Sequence, residues 1–203
     1  MRPDLDVVAS MVPVGARVLD LGCGDGSLLE HLIRERGCEG QGVEISRAGF
    51  AACVGRGVPV IELDMDNGLA DFGDRSFDVV VLSQTLQATR RPAEILRELT
   101  RIGRFGIVSF PNFGHWPVRI GLALRGRMPE SRALPFTWHE TPNIHLCTIR
   151  DFEALVRAEG VKATQRILLS SSGGAAGSQV ARRPNLLAAG AVYGLVEAKG
   201  EKN

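Results

Sequence analysis

The residues best suited to chemistry stand together in one short loop. In the stretch VLDLGCGDG, an apolar run ends and glycines follow at every second position, with carboxylates among them. The loop residues are Asp20, Gly22, Gly24, Asp25 and Gly26. A glycine loop between a strand and a helix lets the backbone approach a ligand closely, and such loops commonly hold nucleotides. Glu44 ends the next apolar run, where a carboxylate can accept hydrogen bonds from ribose hydroxyls. This spacing fits either NAD or S-adenosylmethionine.

The charge of the loop distinguishes between these two ligands. A pyrophosphate docked at the start of the following helix would meet the carboxylates of Asp20 and Asp25, and like charges in a half-buried site repel. S-adenosylmethionine carries a sulfonium and an ammonium group, which carboxylates attract. Ser27 also stands where the dinucleotide fingerprint has its last glycine. We therefore expect S-adenosylmethionine or its product S-adenosylhomocysteine. Two alternatives stay open: Asp25 as a cap of the helix that begins at Ser27, and Asp20 as a structural acid.

Two later stretches supply further candidates for the same site. Asp64 and Met65 follow the third apolar run, where an acid and an apolar side chain can contact the amino group and the face of adenine. Ordinary loop acidity is the alternative for Asp64. Ser83 and Gln84 follow the fourth apolar run and are expected to line the mouth of the site.

Several chemistries lack their usual residues. The stretch HETPNIH, from His139 to His145, lacks the H-E-x-x-H spacing and contains Pro142, so we expect no metal. Neither N-P-P-Y nor D-P-P-Y follows the fourth apolar run, and no Pro-Cys dipeptide occurs, which disfavours methylation of nucleic-acid bases. We expect no nucleic-acid partner. His115 and His145 could act as general bases, but a His beside Trp116 or in a turn is more often structural, so no residue is assigned as a catalytic base.

The order of apolar patterns predicts an α/β fold. Strands are predicted at 17–22, 40–45, 58–63, 77–83, 106–110, 161–170 and 185–198, and helices at 5–12, 27–36, 47–56, 92–102 and 149–160. Strands that alternate with helices imply a parallel sheet with helices on both faces, and the last two strands predict an antiparallel edge. This seven-stranded layout is that of the class I methyltransferase fold, which is Rossmann-like. Residues 1–203 form one predicted domain, in which 111–146, without clear period, is an inserted cap or partner-binding segment.

Composition and charge narrow the class of protein. The chain has 203 residues, a net charge of +1 and 44% hydrophobic residues, which is ordinary for a globular protein. Residues 90–132 hold nine Arg and three Glu, a net of +6, which indicates either a solvated face or a surface for an anionic ligand or an acidic partner. No apolar run approaches the roughly 20 residues that span a bilayer, so no membrane partner is expected. The four cysteines form no C-x-x-C pair and are read as reduced cytosolic thiols.

Several motifs together resemble one known family. The stretches LDLGCGDG, LSQTLQA, IVSFPNFGHW, GRMPES and TPNIHLCT are similar to those of the MetW family of methionine biosynthesis proteins, from Arg2 to Tyr193. The resemblance implies a cytoplasmic protein with the S-adenosylmethionine-dependent methyltransferase fold, which works with a homoserine O-acyltransferase as protein partner. It assigns no catalytic residue and is not extended to 168–183.

Two functions remain open from the sequence. In the first, the chain is a binding module that holds S-adenosylmethionine or S-adenosylhomocysteine and supports or regulates the acyltransferase. In the second, it is a methyltransferase that acts on a small molecule, because methyl transfer can depend on proximity and in-line geometry without a base. The segment 111–146 separates them: it should cap the site in an enzyme, or expose aromatic and Arg side chains in a partner protein.

Overall fold

A seven-stranded sheet forms the centre of the protein. The computed structural model describes residues 2–131 and 134–198. The strands are β1 (Arg17–Leu21), β2 (Glu39–Glu44), β3 (Val60–Glu62), β4 (Phe77–Ser83), β5 (Gly103–Pro111), β6 (Val161–Leu169) and β7 (Gly190–Glu197). Their order is β3-β2-β1-β4-β5-β7-β6. The first five strands in this order are parallel, whereas β7 is antiparallel to both β5 and β6. The predicted mostly parallel sheet with an antiparallel pair at its edge is confirmed; β6 is the edge strand and β7 lies next to it.

The helices cover both faces of this sheet. They are α1 (Pro3–Met11), α2 (Ser27–Arg36), α3 (Arg47–Arg56), α4 (Met65–Gly68), α5 (Pro92–Ile102), α6 (Trp116–Arg125), α7 (Ile149–Ala158) and α8 (Pro184–Leu187). Alternate residues of β4 supply the two cores: Val79 packs with α1 and α2 on one face, and Val80 packs with α5 and α7 on the other. This alternation follows from the two-residue period of a strand. Strand β4 is therefore buried on both faces of the sheet, as its continuous apolar run predicts.

The chain reverses its order in the sheet between β1 and β4. Strand β1 pairs with β2 on one side and with β4 on the other, and all three are parallel. Open α/β sheets bind ligands at the carboxyl ends of strands at such a switch point, because the loops there turn to opposite faces and leave a crevice. The glycine loop leaves β1 at this crevice.

Besides the short helix α4, which the sequence does not predict, the main differences from the sequence prediction lie in two segments. The segment 111–146 contains α6, which begins at Trp116 with Pro117 in its first turn and ends before Gly126, whose φ is 61°. Val118 is its one buried residue, and its other large apolar side chains, Trp116, Ile120, Leu122 and Leu124, are exposed. Residues 185–198 were predicted as one strand, but Pro184–Leu187 form the short helix α8. Pro184 supplies a fixed φ for the first turn of a helix, which explains that start.

None of the helices in residues 2–131 and 134–198 has both the length and the apolar content needed to cross a membrane.

Candidate functional site

The glycine loop is held open by backbone geometry. Gly22, Gly24 and Gly26 have φ angles of 73°, 58° and 74°, which residues with a Cβ adopt only with strain. The Gly22 N–H donates to the carbonyl oxygen of Val43 at 2.8 Å, which ties the loop to β2. A Cβ on Gly26 would lie 2.9 Å from Cys53 Sγ, so the loop also packs tightly against α3. A Cβ on Gly24 would meet nothing within 4 Å, and this part of the loop is open.

Glu44 joins the end of β2 to the glycine loop. One carboxylate oxygen, Oε2, accepts a hydrogen bond from the Gly24 N–H at 2.8 Å. The other, Oε1, accepts from the Ser46 N–H at 2.8 Å, at the start of α3. The residue is buried, so these two bonds offset the cost of removing the carboxylate from water. Glu44 therefore stands where the spacing predicts, and it supports the loop as well as facing the crevice end of the sheet.

Asp20 is the unusual carboxyl group of the site. It is 2% exposed, and its Oδ1 has no hydrogen-bond partner among the described residues. Burial raises the pKa of Asp20 to about 7; Arg2 opposes this rise and the charge of Glu44 adds to it. An unpartnered buried oxygen costs free energy, which a ligand with a cationic or hydrogen-bond-donating group could recover.

Asp25 occupies the same loop but has partners of its own. Its Oδ1 accepts from the Ser27 N–H at 3.1 Å, and its Oδ2 lies 2.9 Å from Arg56 Nη2. Partial burial acts to raise the pKa of Asp25, but the hydrogen bonds from Ser27 and the Arg56 guanidinium outweigh it and hold the pKa below its usual value. Gly26, in left-handed backbone, is the residue that caps α2. Asp25 therefore helps to satisfy the start of α2, and Arg56 offsets its charge.

Side chains at the start of α1 form hydrogen bonds with residues at the end of β4. Gln84 directly follows β4 with a φ of 54°, and its Nε2 donates to Asp4 Oδ2 at 2.9 Å. Arg2 Nη2 donates to Ser83 Oγ at 3.3 Å, and Ser83 Oγ also lies 3.0 Å from Ser109 Oγ. The sequence analysis did not assign Arg2 or Asp4 to the site. These contacts join residues about 80 positions apart, and no local pattern signals them.

A cavity of about 1300 Å³ lies between these elements. Its walls include the glycine loop, α2, the start of α1, the ends of β4 and β5, the start of β7, and residues 135–136, 142–143 and 169–173. Five of the eight predicted site residues line it: Asp20, Gly22, Gly24, Asp25 and Ser83. Glu44 does not line it but is bonded to Gly24, which does.

Asp64 and Met65 lie outside the lining of this cavity. Asp64 precedes α4, where its side chain accepts from the Asp66 N–H at 3.0 Å and from Asn67 Nδ2 at 2.9 Å. Met65 is partly buried and packs against the core on the α5 side of the sheet. The structure therefore gives Asp64 a capping role at the end of β3 and does not bring this pair to the cavity wall.

Part of the segment 111–146 lines the cavity, and another part forms the helix α6 away from it. Pro135, Phe136, Pro142 and Asn143 line the cavity. The helix α6 lies elsewhere in the segment and exposes most of its apolar side chains. The Ile144 and His145 N–H groups donate to the Gln87 carbonyl oxygen at 2.9 and 3.0 Å, which attaches the segment to the turn after β4.

His115 and a possible metal site are the remaining features that the sequence raised. His115 is buried, and burial lowers its pKa. In the part of the chain that the structure describes, no three His, Cys, Asp or Glu side chains are grouped to hold a metal ion.

Gln87 is a further buried polar residue, and no motif in the sequence marks it. Both polar atoms of its side chain lack a partner among the described residues.

The strand order, the antiparallel β7 and the glycine loop after β1 define a class I methyltransferase fold. A solved S-adenosylmethionine-dependent methyltransferase from Archaeoglobus fulgidus is similar over 94% of this chain and 93% of its own, with a TM-score of 0.66 and 18% identity. The cyclase SpnF is similar over 97% of this chain and 81% of its own, with a TM-score of 0.67 and 17% identity. One fold thus serves proteins named for different reactions, and it does not by itself assign an activity.

The family is narrower than the fold. Residues 2–195 match the family described as methionine biosynthesis protein MetW, and the chain belongs to that family. A relative from Rhodopirellula baltica, the bifunctional methionine biosynthesis protein MetXA/MetW, is 37% identical over 165 residues. The match covers 77% of this chain and 26% of that relative, so the chain spans about a quarter of the length of this relative.

Proposed function

We propose that this protein binds S-adenosylmethionine or S-adenosylhomocysteine at the glycine loop and supports or regulates a homoserine O-acyltransferase in methionine biosynthesis. The observation that carries the ligand is the buried Asp20, whose Oδ1 has no partner in the described part of the chain and which lines the cavity. A sulfonium or ammonium group placed nearby would compensate this carboxylate. The open face of Gly24 leaves room for the methionine part to approach the backbone.

The charge argument against a dinucleotide rests on Asp20 and Glu44. Arg56 pairs with Asp25, so the charge of Asp25 contributes less than the sequence suggests. The carboxylates of Asp20 and Glu44 lie close enough to raise the pKa of Asp20, and a pyrophosphate beside them would add negative charge to a buried site. A cationic ligand lowers the same electrostatic energy. We therefore prefer S-adenosylmethionine to NAD.

The adenosine end of the ligand is assigned to the residues after β2 and β3. Glu44 has used one hydrogen bond per oxygen, and a carboxylate oxygen can accept a second, so ribose hydroxyls remain suitable donors. Asp64 and Met65 are proposed to contact adenine. Asp64 would then bind ligand while it also caps α4.

The partner proposal draws on the family and on the 111–146 segment. In the Rhodopirellula baltica relative, MetXA and MetW are named together in one bifunctional chain. We propose that this chain forms a single domain and acts in the cytoplasm. We propose that its segment 111–146 contacts a homoserine O-acyltransferase. The segment both lines the ligand cavity and carries the exposed helix α6, so it would act as a cap and as a docking element at once.

One observation favours the alternative, a small-molecule methyltransferase. The cavity, at about 1300 Å³, exceeds the roughly 300–1,000 Å³ of common ligand pockets. It therefore has room for a methyl acceptor beside S-adenosylmethionine. No catalytic base is assigned, and none is required if proximity drives the transfer.

Calorimetry and a paired activity assay test both functions. Titration with S-adenosylmethionine, S-adenosylhomocysteine and NAD should give binding for the first two alone. Acyl transfer to homoserine, measured with and without this chain, should depend on its presence. Accumulation of S-adenosylhomocysteine over many turnovers with a small acceptor would instead establish the methyltransferase. Binding of NAD with no binding of S-adenosylmethionine would contradict the ligand proposal.

A further inference from the structure

The helix α6 presents an apolar groove to solvent. Trp116, Ile120 and Leu124 recur at four-residue spacing along α6 and are 47%, 48% and 82% exposed. This spacing places them on one side of the helix. Met128, from the stretch after α6, is 40% exposed and lines the same groove, whose volume is about 600 Å³. A stripe of large exposed apolar side chains beside a concave surface is typical of an interaction site.

The rim of this groove is cationic. Arg125 and Arg127 line it, and within residues 2–131 and 134–198 neither takes part in an ion pair. Glu130 is the one acidic residue among those that line the groove. The groove lies within the region 90–132, whose nine Arg and three Glu give a net of +6. An occupant should therefore combine an apolar face with acidic side chains at its margins.

We infer that this groove binds an amphipathic helix of the homoserine O-acyltransferase, with acidic residues beside its apolar face. Helix-in-groove recognition uses apolar side chains at i, i+3, i+4 and i+7, which a narrow apolar groove accommodates. A second copy of this chain fits less well, because a two-fold contact would set this cationic rim against itself. The inference rests on the proposed function and deepens it, since it gives the docking surface and the chemistry of the partner segment.

The experiment measures affinity of the full chain for the purified acyltransferase by calorimetry. Leu124→Asp places an acid in the apolar stripe that lines the groove, and Arg125→Glu and Arg127→Glu reverse the charge of the rim. Val14→Asp is the matched control for the first, since Val14 is an aliphatic residue that is 76% exposed and outside the groove. Lys162→Glu, at the start of β6, is the control for charge reversal.

The inference predicts that each groove variant weakens the complex about tenfold or more, while both controls bind as the wild type does. It also predicts that wild-type affinity falls as the salt concentration rises, because the rim is exposed. All variants should retain wild-type thermal stability and wild-type binding of S-adenosylmethionine, since the changed side chains are exposed and lie outside the ligand cavity.

Three results would overturn it, and they are distinguishable. If the wild type binds the acyltransferase and the groove variants bind equally well, the docking surface lies elsewhere and the proposed function stands. If the wild type forms a dimer that Leu124→Asp dissolves, the occupant is a second copy. If the wild type does not bind the acyltransferase at all, the inference and the partner part of the proposed function both fail.

Discussion

The Glu44 carboxylate accepts a hydrogen bond from the Gly24 N–H at 2.8 Å and so joins the end of β2 to the middle of the glycine loop. Its other oxygen accepts from Ser46 at the start of α3. Glu44 therefore links three elements: β2, the glycine loop and α3. Such preorganisation lowers the free-energy cost of ordering the site on binding. It also means that removal of Glu44 affects both the ligand and the loop.

Glu44→Ala should weaken binding of S-adenosylmethionine by about 1–3 kcal/mol, the range for loss of hydrogen bonds to a charged acceptor. It should also lower the melting temperature, because the Gly24 and Ser46 N–H groups lose their acceptor. Calorimetry and thermal unfolding measure the two effects. Glu62→Ala is the control, because Glu62 is the register partner of Glu44 on β3 and is exposed. Equal affinities for wild type and Glu44→Ala would contradict the site.

Asp20 should make ligand affinity depend on pH near neutrality. Its pKa is raised to about 7 by burial, so the carboxyl group is neutral in acid and becomes charged as the pH rises through 7. A cationic ligand favours the charged form, so affinity for S-adenosylmethionine should increase from pH 6 to pH 8. Asp20→Asn should bind more weakly at pH 8 and lose this dependence. A wild-type affinity that is flat over the range would show that Asp20 does not face the ligand's charge.

The same group should also affect the stability of the ligand-free protein. An ordinary Asp titrates near 3.9 in the unfolded chain, whereas the folded state keeps its proton up to about 7. Between these values the folded state binds more protons, so this group's contribution to the free energy of unfolding decreases as the pH rises and levels off above 7. Chemical denaturation from pH 4 to pH 8 should therefore show a steeper loss of stability for wild type than for Asp20→Asn. Parallel curves would contradict the raised pKa.

Two glycines that are 29 positions apart should respond oppositely to alanine. Gly26→Ala should lose at least about 1–2 kcal/mol of stability, because its φ of 74° strains an L residue and a Cβ would meet Cys53 Sγ at 2.9 Å. Gly55→Ala, inside α3 with nothing within 4 Å, should gain about 0.5–1 kcal/mol. Denaturant unfolding of both variants tests this contrast. A neutral Gly26→Ala would mean that the loop adopts another conformation.

The sequence predicts the elements whose signals are local. The bounds 27–36, 47–56, 77–83 and 92–102 agree with α2, α3, β4 and α5. Buried apolar patterns mark α2, β4 and α5, whereas α3 has Cys53 as its one buried residue; Gly37 and Gly57 end α2 and α3 in left-handed backbone. The helix α6 lies in the segment 111–146, whose sequence shows no clear overall period, although Trp116, Ile120 and Leu124 recur there at four-residue spacing. That this stripe faces solvent and not the core depends on how the helix packs, which spacing alone does not record.

The candidate site shows the same division between local and distant signals. The glycine loop and the position of Glu44 follow from spacing along two successive βα units. The contact of Asp4 with Gln84 and the pairing of Asp25 with Arg56 each join a helix to a distant loop, and spacing along the chain does not record how these elements pack. Asp25 both lines the cavity and accepts from the Ser27 N–H, so its two readings from the sequence both stay open. The burial of Asp20 without a partner could be known only from the packed structure.

The ligand and the partner should influence each other through the 111–146 segment. Residues 135–136 and 142–143 line the cavity, and the same segment carries α6. It is attached at Gln87, in the turn that follows the cavity-lining end of β4. If the ligand or the partner binds this segment, it would favour one conformation of the segment. That change would alter the affinity of the segment for the other molecule. Reciprocity requires that each change the affinity of the other by the same factor, and common couplings are about 1–3 kcal/mol.

Two measurements on one preparation test this coupling and separate the two proposed functions. The first determines the Kd of the acyltransferase complex with and without S-adenosylmethionine, and the Kd of S-adenosylmethionine with and without the acyltransferase. We expect equal factors, and we expect Glu44→Ala to need a higher concentration of S-adenosylmethionine for the same effect. The second follows S-adenosylhomocysteine during acyl transfer, and we expect none to accumulate with homoserine or its acyl esters. Because S-adenosylmethionine is made from methionine, such coupling would let the end of the pathway act on its early acyl-transfer step. Normal ligand binding with an unchanged complex affinity would leave only structural support of the acyltransferase, and repeated methyl transfer would make the chain an enzyme in its own right.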